Sequence, residues 1–572
     1  MPDLPGGENY MTLAYEQKQM NKGEQPMGRR WSTPEARRAL LCELVSWDSR
    51  TLTEGERLFA QRLETKLREM PHFQQHPERV ALHDAGLGRQ TVTALYKHPY
   101  ATDTIVLISH FDTVQTEEYG ALQALSTLPE ELTAKLHDVK DTLHAEARAD
   151  LESGEYLFGR GTMDMKAGLT AHLSLLEQAI DEDWPVNLLL LTVPDEEVNS
   201  AGMRAAVGVM LEIAEKEGLT FSLFLNGEPS FTQEPGDTKE YIYSGTIGKI
   251  MPAALFYGKE THVGEPLQGL TANYIASYMT QQMEFSDLFE ESVYGEKTPL
   301  PVSLYQRDLK DQYSTQTPYR AAALYNVFLF KRTAADVMET FEKVAGEAAS
   351  ACNSAYRELC RRHGVSGVGD VKVYRYEQIL THAEDKLGEE EVRKLKEKAI
   401  ALAGPDERAQ SFAVADRLMI ECQELSPAIV LLYAPPYYPA VNSTEDQLIR
   451  DAVSLMQDTA RTLGTELEQV HYFNGICDLS YVNYRDGSAG WTAYERNTPV
   501  WGDTYSIPFE DMRKLNASVL NVGPLGRDAH QRTERLHTDS AFRRLPIMLE
   551  TLIRKLFIER SEHAATQYNH SS

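Results

Sequence analysis

Acidic and histidine side chains that could bind metal ions or transfer protons follow three apolar runs of the sequence. They are His110 and Asp112 after TDTIVLIS, Glu196 and Glu197 after VNLLLLTVPD, and Glu228 after FSLFLNG. In open α/β sheets, ligands gather at the carboxyl ends of the strands. We therefore expect these side chains to lie together at one edge of a sheet. Adjacent glutamates there repel each other and lose hydration, a cost that a bound cation would offset.

Two further segments supply ligand types that match this group. The segment FGRGTMDMKAGL places Asp164 just before a predicted helix, and GRDAHQR contributes His530. Mixed imidazole and carboxylate ligands suit zinc, cobalt or manganese. Five ligands with one bridging carboxylate would hold two metal ions about 3.5–4 Å apart, and a carboxylate outside that set would transfer protons. Taken singly, the His-x-Asp pair also fits a capped turn, and the glutamate pair a helix N-terminus.

The elements predicted around these residues form an α/β domain with a mostly parallel sheet. The segment STPEARRALLCELVSW predicts a helix in which Ser32 and Glu35 form a capping box. Three apolar strands follow, QTVTALYK, TDTIVLIS and VNLLLLTV, with the helix GLTAHLSLLEQAI between the last two. Continuously apolar strands in strand–helix–strand order favour a parallel sheet covered on both faces.

From about Ser244 the pattern changes to that of an inserted α+β domain. A long helix is predicted from Ala334 to Arg362, and the charged segment HAEDKLGEEEVRKLKEKAIALAG predicts one solvated helix. The Pro-rich segment YAPPYYPAVNSTEDQ indicates a boundary. The predicted division is a catalytic metal-binding domain at residues 1–243 and 441–572, with residues 1–30 as a tail, and an insert at residues 244–440.

The composition argues against several classes of partner. With 85 acidic and 57 basic residues, the formal charge is −28, which disfavours nucleic acid or an anionic membrane as the partner. The five cysteines include no CxxC pair and indicate reduced thiols, not a zinc knuckle or a disulfide framework. We find no signal-peptide core at the start and no apolar run of membrane-spanning length. We therefore expect a cytoplasmic protein that acts on a small molecule.

The motifs, in this order, resemble those of the co-catalytic zinc metallopeptidase family that includes glutamate carboxypeptidase, aminoacylase, acetylornithine deacetylase and succinyl-diaminopimelate desuccinylase. The similar segments are ISHFDTV, GRGTMDMKAG, VPDEEVNSAGM, NGEPS, THVGEPLQGLTANYIA and GRDAHQRTERLHTDS. The similarity extends from Ser32 to about Leu552 and looks greatest to the arginine utilisation branch, which is associated with arginine and ornithine catabolism. It implies an α/β di-zinc hydrolase domain with an inserted α+β lid or dimerisation domain, enlarged here at residues 285–325 and about 363–425.

The resemblance assigns a role to each residue that matches a family motif. One metal ion would be bound by His110, Asp164 and Glu228, and the other by Asp164, Glu197 and His530, with Asp164 as the bridge. Asp112 would orient His110, a contact that fixes the tautomer and basicity of the ring. Glu196 would be the general base towards the attacking water and then the general acid towards the leaving nitrogen.

Four more residues are implied near the substrate. His262 resembles an insert histidine that stabilises the oxyanion and, in dimeric members, reaches the partner's site. Asn273 matches a family asparagine, and Arg332 resembles an insert arginine that binds a substrate carboxylate, with a solvated strand-end arginine as the alternative. Asp478 in NGICDLS is either part of the substrate wall or a structural cap. Whether the protein is a monomer or a homodimer stays open.

These observations predict a two-metal amidohydrolase that cleaves the amide bond of an N-acyl amino acid or small peptide. The cofactor would be two divalent metal ions, zinc first, with cobalt or manganese possible. One alternative is a dipeptidase or aminopeptidase with the same centre. Another is a catalytically silent metal-binding regulatory scaffold, although degenerate family members lose a ligand or the base and this sequence retains both.

Overall fold

The structure is a computed structural model that describes residues 29–234, 236–310 and 312–559. It has a mixed α/β architecture, in which helices pack against a large central sheet and against a second sheet. The predicted tail at residues 1–30 lies outside the described residues except for its last two positions. No helix within the described ranges is long and apolar enough to cross a membrane.

The spatial order of the eight strands in the central sheet brings together the strands that precede the polar segments. From edge to edge the strands are Val80–Asp84, Gln90–Tyr96, Asn187–Val193, Asp103–His110, Thr220–Asn226, Ser518–Asn521, Glu240–Tyr243 and Leu467–Val470. Asp103–His110 pairs in parallel with Asn187–Val193 on one side and with Thr220–Asn226 on the other. The three segments that follow these strands therefore meet at one edge of the sheet.

The sheet is parallel at its centre and has antiparallel pairs on both sides of it, which refines the predicted mostly parallel arrangement. On one side, Ser518–Asn521 pairs antiparallel with Glu240–Tyr243. Gln90–Tyr96 pairs antiparallel with both Val80–Asp84 and Asn187–Val193. The short turn between Val80–Asp84 and Gln90–Tyr96 returns the chain directly beside itself, whereas a parallel neighbour requires a crossover of about a dozen residues or more.

Both faces of the central strands are buried, which explains their unbroken apolar sequence. Leu190 packs on the face covered by the helix Ala167–Asp181, and its neighbour Leu191 packs on the face covered by Ala201–Glu217. Side chains alternate between the two faces of a strand, so a strand covered on both sides must be apolar throughout. The helix predicted between the two central strands is confirmed.

The second sheet is formed by strands that lie between residues 248 and 438. Its order is Val302–Asp308, Arg320–Leu329, Gly248–Tyr257, Ala428–Tyr438 and Lys372–Arg375. Two short strand pairs are Ser292–Val293 with Glu296–Lys297 and Gly245–Thr246 with Val441–Asn442. The division of the chain into domains at residues 244 and 440 stays a prediction.

A small four-stranded sheet lies beside the polar edge of the central sheet. Its strands are Tyr156–Phe158, Arg535–His537, Leu525–Arg527 and Ser230–Phe231. Asp164 follows the first of these strands, His530 lies between the second and the third, and Glu228 precedes the fourth. This sheet therefore aligns three segments that are distant in the chain.

The helices agree with the predictions in the long apolar elements and differ at one N-terminal cap and at one break within a charged segment. The α-helices are Pro34–Ser46, Glu54–Arg68, Pro71–Gln75, Pro129–Leu136, Ala145–Ser153, Ala167–Asp181, Ala201–Glu217, Ala272–Met283, Ala334–His363, Tyr376–Leu387, Glu389–Ala403, Glu407–Glu421, Gln447–Thr462, Ser488–Asn497, Phe509–Lys514 and Leu545–Ile553. The long helix predicted from Ala334 is confirmed. The cap predicted at Ser32 is wrong, because Thr33 precedes the first turn and accepts the Ala36 N–H.

The charged segment predicted as one helix forms two, Tyr376–Leu387 and Glu389–Ala403. Gly388 separates them at φ 87°, a conformation that glycine adopts without the steric cost of a Cβ atom. The second helix buries Val392, Leu395 and Ala399 and exposes its charged face. The charge pattern gave no indication of this break, since a single glycine in a helix is often tolerated.

Candidate metal centre

The first group of ligand-type side chains surrounds His110, the last residue of the strand Asp103–His110. Its Nε2 lies 3.2 Å from Asp164 Oδ1 and 3.4 Å from Glu228 Oε1. All three residues are nearly buried, at 1%, 8% and 4% exposure for His110, Asp164 and Glu228. Together they can supply one metal-ligand set.

A second group uses the other oxygen of the same aspartate. His530 Nε2 lies 3.0 Å from Asp164 Oδ2 and 3.1 Å from Glu197 Oε2. Asp164, Glu197 and His530 form a second potential ligand set. Because Asp164 offers one oxygen to each set, it can bridge two ions, which is the arrangement that a two-metal site requires.

The tautomer of His110 suits ligation through Nε2. Its Nδ1 lies 3.0 Å from the main-chain carbonyl oxygen of Asp112 and 3.6 Å from the Asp112 carboxylate. A carbonyl oxygen can only accept a hydrogen bond, so Nδ1 carries the proton and Nε2 is directed at the carboxylates. The contact between His110 and Asp112 is therefore made first of all through the main chain.

The electrostatics of the cluster call for a cation. Burial, with the neighbouring carboxylates, raises the pKa of Glu196 well above its ordinary value, and burial raises the pKa of Glu228 to about 7. Burial lowers the pKa of His110, but the charge of Glu228 and hydrogen bonds with the Asp112, Asp164 and Glu228 carboxylates outweigh that effect and raise it. So many ionisable groups cannot all be charged in a buried site without compensation. Mixed nitrogen and oxygen donors with shared carboxylates fit two divalent metal ions.

Asp112 positions both adjacent glutamates through their main-chain amides. Its Oδ1 accepts the Glu196 N–H at 3.0 Å, and its Oδ2 accepts the Glu197 N–H at 3.3 Å. The Oδ2 atom also accepts the Thr51 hydroxyl at 2.8 Å, and the Asp112 side chain is fully buried. One carboxylate therefore holds the loop that carries two of the predicted functional residues.

The first acidic residue of the same loop has a different environment. Asp195 has a left-handed backbone, pairs with Arg89 and accepts the Ala201 N–H at 3.0 Å. Its carboxylate therefore closes the loop onto the start of the helix Ala201–Glu217. This arrangement leaves Glu196 and Glu197 to face the cluster.

A buried ion pair supports the segment that carries His530. Arg160 pairs with Glu534, and the Gly159 N–H donates to the Glu534 carbonyl oxygen at 3.0 Å. Arg160 and Glu534 are both buried, with exposed fractions of 1% and 0%. Both residues lie inside the quoted motifs, yet sequence analysis gave them no role, because pairing across more than 300 residues leaves no local pattern.

The other predicted residues are placed differently with respect to the cluster. Asp478 is buried nearby, and its charge contributes to the raised pKa of Glu196 and of Glu228. His262 and Asn273 are exposed, and Arg332 donates to the Leu288 carbonyl oxygen at 2.6 Å. Within the described chain, these last three make no hydrogen bond or ion pair with the ligand-type cluster, and their substrate roles stay predictions.

One more group of ligand-type side chains lies outside this centre. It consists of His382, Cys422 and Glu424. Lys386 Nζ lies 2.9 Å from each Glu424 oxygen and also donates to the Glu421 carbonyl oxygen at 2.7 Å. A lysine already neutralises this carboxylate, so we interpret the group as an ion-pair network.

The fold and the site together define a metal-dependent hydrolase of the α/β class. The family model described as Peptidase family M20/M25/M40 matches residues 106–486. The match covers more than half of the chain, and the chain belongs to this family.

Comparison with known proteins extends the similarity over nearly the whole chain. The uncharacterized protein YqjN of Bacillus subtilis is 40% identical over 541 residues, which are 93% of this chain and 98% of that protein. Protein RocB of the same organism is 29% identical over 90% of this chain and 93% of its own length. The M20 family metallo-carboxypeptidase Sso-CP2 from Sulfolobus solfataricus has the same fold, with a TM-score of 0.51 at 14% identity over 91% of this chain and 99% of that one.

Proposed function

We propose that this protein is a two-metal amidohydrolase that cleaves the amide bond of an N-acyl amino acid or a small peptide. The observation that carries the proposal is the pair of ligand sets that share Asp164, with Glu196 next to them but in neither. The Glu196 Oε2 atom lies 3.9 Å from His110 Nε2, and its side chain is 11% exposed. A carboxylate so close to the cluster and outside both sets is free to transfer a proton.

The residues would divide the chemistry as follows. When bound by the two ligand sets, the metal ions would activate a water molecule and polarise the amide carbonyl. Glu196 takes the proton from the attacking water and delivers it to the nitrogen of the leaving amine, because a carboxyl group whose pKa is raised above its ordinary value can both accept and return a proton. The Asp112 carboxylate accepts hydrogen bonds from the main-chain amides of Glu196 and Glu197. It therefore keeps the proposed base, Glu196, and the proposed ligand, Glu197, pointing in different directions.

Zinc is the metal we propose, because its preferred ligands include histidine and carboxylate groups. The resemblance to the arginine utilisation branch supports N-acylated arginine or ornithine as the first substrates to test. The family's description as peptidases supports dipeptides as the second class of substrate. A screen of both classes distinguishes a deacylase from a dipeptidase.

The adjacent glutamates provide a matched pair of variants for the test. Glu196→Gln and Glu197→Gln remove one charge each at neighbouring positions and preserve side-chain size. We expect Glu196→Gln to retain two metal equivalents and to lose about 10²–10⁴-fold in turnover, the range for removal of a general acid–base group. We expect Glu197→Gln to lose one metal equivalent.

Metal content is measured by elemental analysis, and turnover by release of the free amine. If both variants kept full activity and full metal content, the two-metal mechanism would be wrong. If the wild type bound two metal ions but hydrolysed neither class of substrate, the silent scaffold would be the better description.

A further inference from the structure

The two chain segments that connect the sheets run side by side close to the metal centre. Gly245–Thr246 pairs antiparallel with Val441–Asn442, directly before the strand Gly248–Tyr257 begins. A Cβ atom on Gly248 would lie 2.5 Å from the Ala440 nitrogen and 2.8 Å from the Tyr438 carbonyl oxygen. The two segments therefore approach each other more closely than a side chain at residue 248 would permit.

This close approach fixes the position of Lys249. Lys249 lies directly opposite Tyr438 in the antiparallel register, so both side chains project from the same face of the sheet. The Tyr438 hydroxyl donates to the Glu196 carbonyl oxygen at 3.3 Å. The face that carries Lys249 is therefore the face that meets the Glu196 loop.

Lys249 has no partner for its charge in the part of the chain that the structure describes. Its side chain is half-buried, and its ammonium group makes no hydrogen bond or ion pair with any described residue. Burial and the charge of Arg408 lower the pKa of Lys249, whereas the charge of Glu196 raises it. A cation held away from bulk water without a partner is costly, and an anionic ligand would remove that cost.

We infer that Lys249 binds a carboxylate of the substrate, on the amino-acid side of the amide bond that is cleaved. The inference rests on the proposed function, because it takes Glu196 as the residue that marks the reacting amide. The residue assigned to a substrate carboxylate by resemblance is Arg332. In this structure, however, the Arg332 guanidinium donates to the Leu288 carbonyl oxygen. Lys249 would thus select N-acyl amino acids with a free carboxylate over the corresponding neutral amides.

The test compares two compounds that differ only in this charge, N-acetyl-L-arginine and N-acetyl-L-argininamide. The enzymes are the metal-loaded wild type, Lys249→Met, Lys249→Arg and, as the matched control, Lys372→Met at an exposed lysine on another strand of the same sheet. Acetate release gives kcat and KM for each pair, and elemental analysis checks that the metal content is unchanged. A hydrogen bond between charged groups contributes enough to give the wild type about a 10- to 100-fold preference in kcat/KM for the acid.

We expect Lys249→Met to lose this preference mainly through KM for the acid, with little change for the amide, and Lys249→Arg to keep most of it. Lys372→Met should keep the wild-type preference. The inference is overturned if the wild type shows no preference or if Lys249→Met retains it. It is also overturned if Lys249→Met lowers kcat equally for both compounds, since that result places Lys249 on the proton transfer of Glu196.

Turnover and binding separate this inference from the proposed function. If the wild type hydrolyses neither compound, the proposed activity fails for this substrate class. Titration calorimetry of the same two compounds with wild type and Lys249→Met then decides the role of Lys249. Tighter binding of the acid that disappears in Lys249→Met supports the inference, and equal binding of acid and amide by the wild type refutes it.

Discussion

Replacing Asp112 by asparagine tests whether one carboxylate sets the positions of both functional glutamates. In the structure its two oxygens accept three hydrogen bonds, from Glu196 N–H at 3.0 Å, Glu197 N–H at 3.3 Å and the Thr51 hydroxyl at 2.8 Å. Asparagine has one acceptor oxygen and one amide nitrogen that only donates. With the oxygen placed towards Glu196, the amide nitrogen faces the Glu197 N–H, so two donors oppose each other.

The size of the effect follows from these contacts. Loss of one hydrogen bond to a charged acceptor costs about 1.5–3 kcal/mol, which corresponds to roughly 10- to 100-fold in an equilibrium constant. The Thr51 hydroxyl can rotate to accept from the new amide, so its contribution changes little. We expect the hydrogen bond from the Glu197 N–H to be the one that is lost. The main-chain carbonyl of Asp112 still accepts from His110, so the ligand set that contains His110 is not affected in the same way.

The assay is competition for metal between the protein and a chelating dye, followed by turnover at saturating metal. We expect one of the two metal ions, the one assigned to Asp164, Glu197 and His530, to bind about 10- to 100-fold more weakly in Asp112→Asn. The control Thr51→Val removes a single neutral donor and should weaken metal binding by less than tenfold. Unchanged affinity for both ions, or equal weakening of both, would refute the assigned role of Asp112.

Two further predictions concern the buried core. Burial lowers the pKa of His172 to about 3, and neither ring nitrogen has a hydrogen-bond partner in the described chain. Above about pH 6.5 the ring is neutral in the folded and the unfolded chain. Below that pH only the unfolded chain binds a proton, so stability falls as the pH drops towards 3, by up to about 1.4 kcal/mol per pH unit. Between pH 7.5 and 5.5, the free energy of unfolding, measured in urea, should fall by about 1.4 kcal/mol less in His172→Leu than in the wild type. The control is His363→Leu, at an exposed histidine. Equal decreases in the wild type and His172→Leu would contradict the assignment. Gly168→Ala should strongly destabilise the fold, because its Cβ would lie 2.1 Å from the Gly227 carbonyl oxygen, whereas Gly208→Ala meets nothing within 4 Å and should stabilise its helix by up to about 1 kcal/mol. Similar melting temperatures for the two alanine variants would show that the helix Ala167–Asp181 packs less closely than described.

The sequence was most informative where a short stretch of chain contains the whole physical signal. Apolar runs such as residues 187–193 predicted strands buried on both faces, and the structure confirms them. The polar residues directly after those runs predicted a common edge, and the structure brings His110, Glu197 and Glu228 to one cluster. The cap at Thr33 and the break at Gly388 were missed, because each depends on the backbone conformation of a single residue.

Residues in the segment predicted to be an insert, 244–440, were the hardest to place. His262, Asn273 and Arg332 were assigned by resemblance alone, and the described chain brings none of them into contact with the cluster. Sequence analysis assigned no role to Lys249, since one lysine at the start of an apolar strand resembles any solvated strand end. The position of Lys249 near Glu196 depends on strand pairing with Tyr438, 189 residues further along the chain.

By itself, the sequence determined which residue types could bind metal ions and that two adjacent glutamates follow a buried strand. That follows from composition and periodicity, which act over a few residues. The resemblance assigned the two glutamates different roles, but only the tertiary structure supplies the contacts that distinguish them: Glu197 reaches His530, while Glu196 lies beside both ligand sets and belongs to neither. The physical reason is that Asp112, 84 residues before Glu196, binds both main-chain amides and so fixes the direction of each side chain.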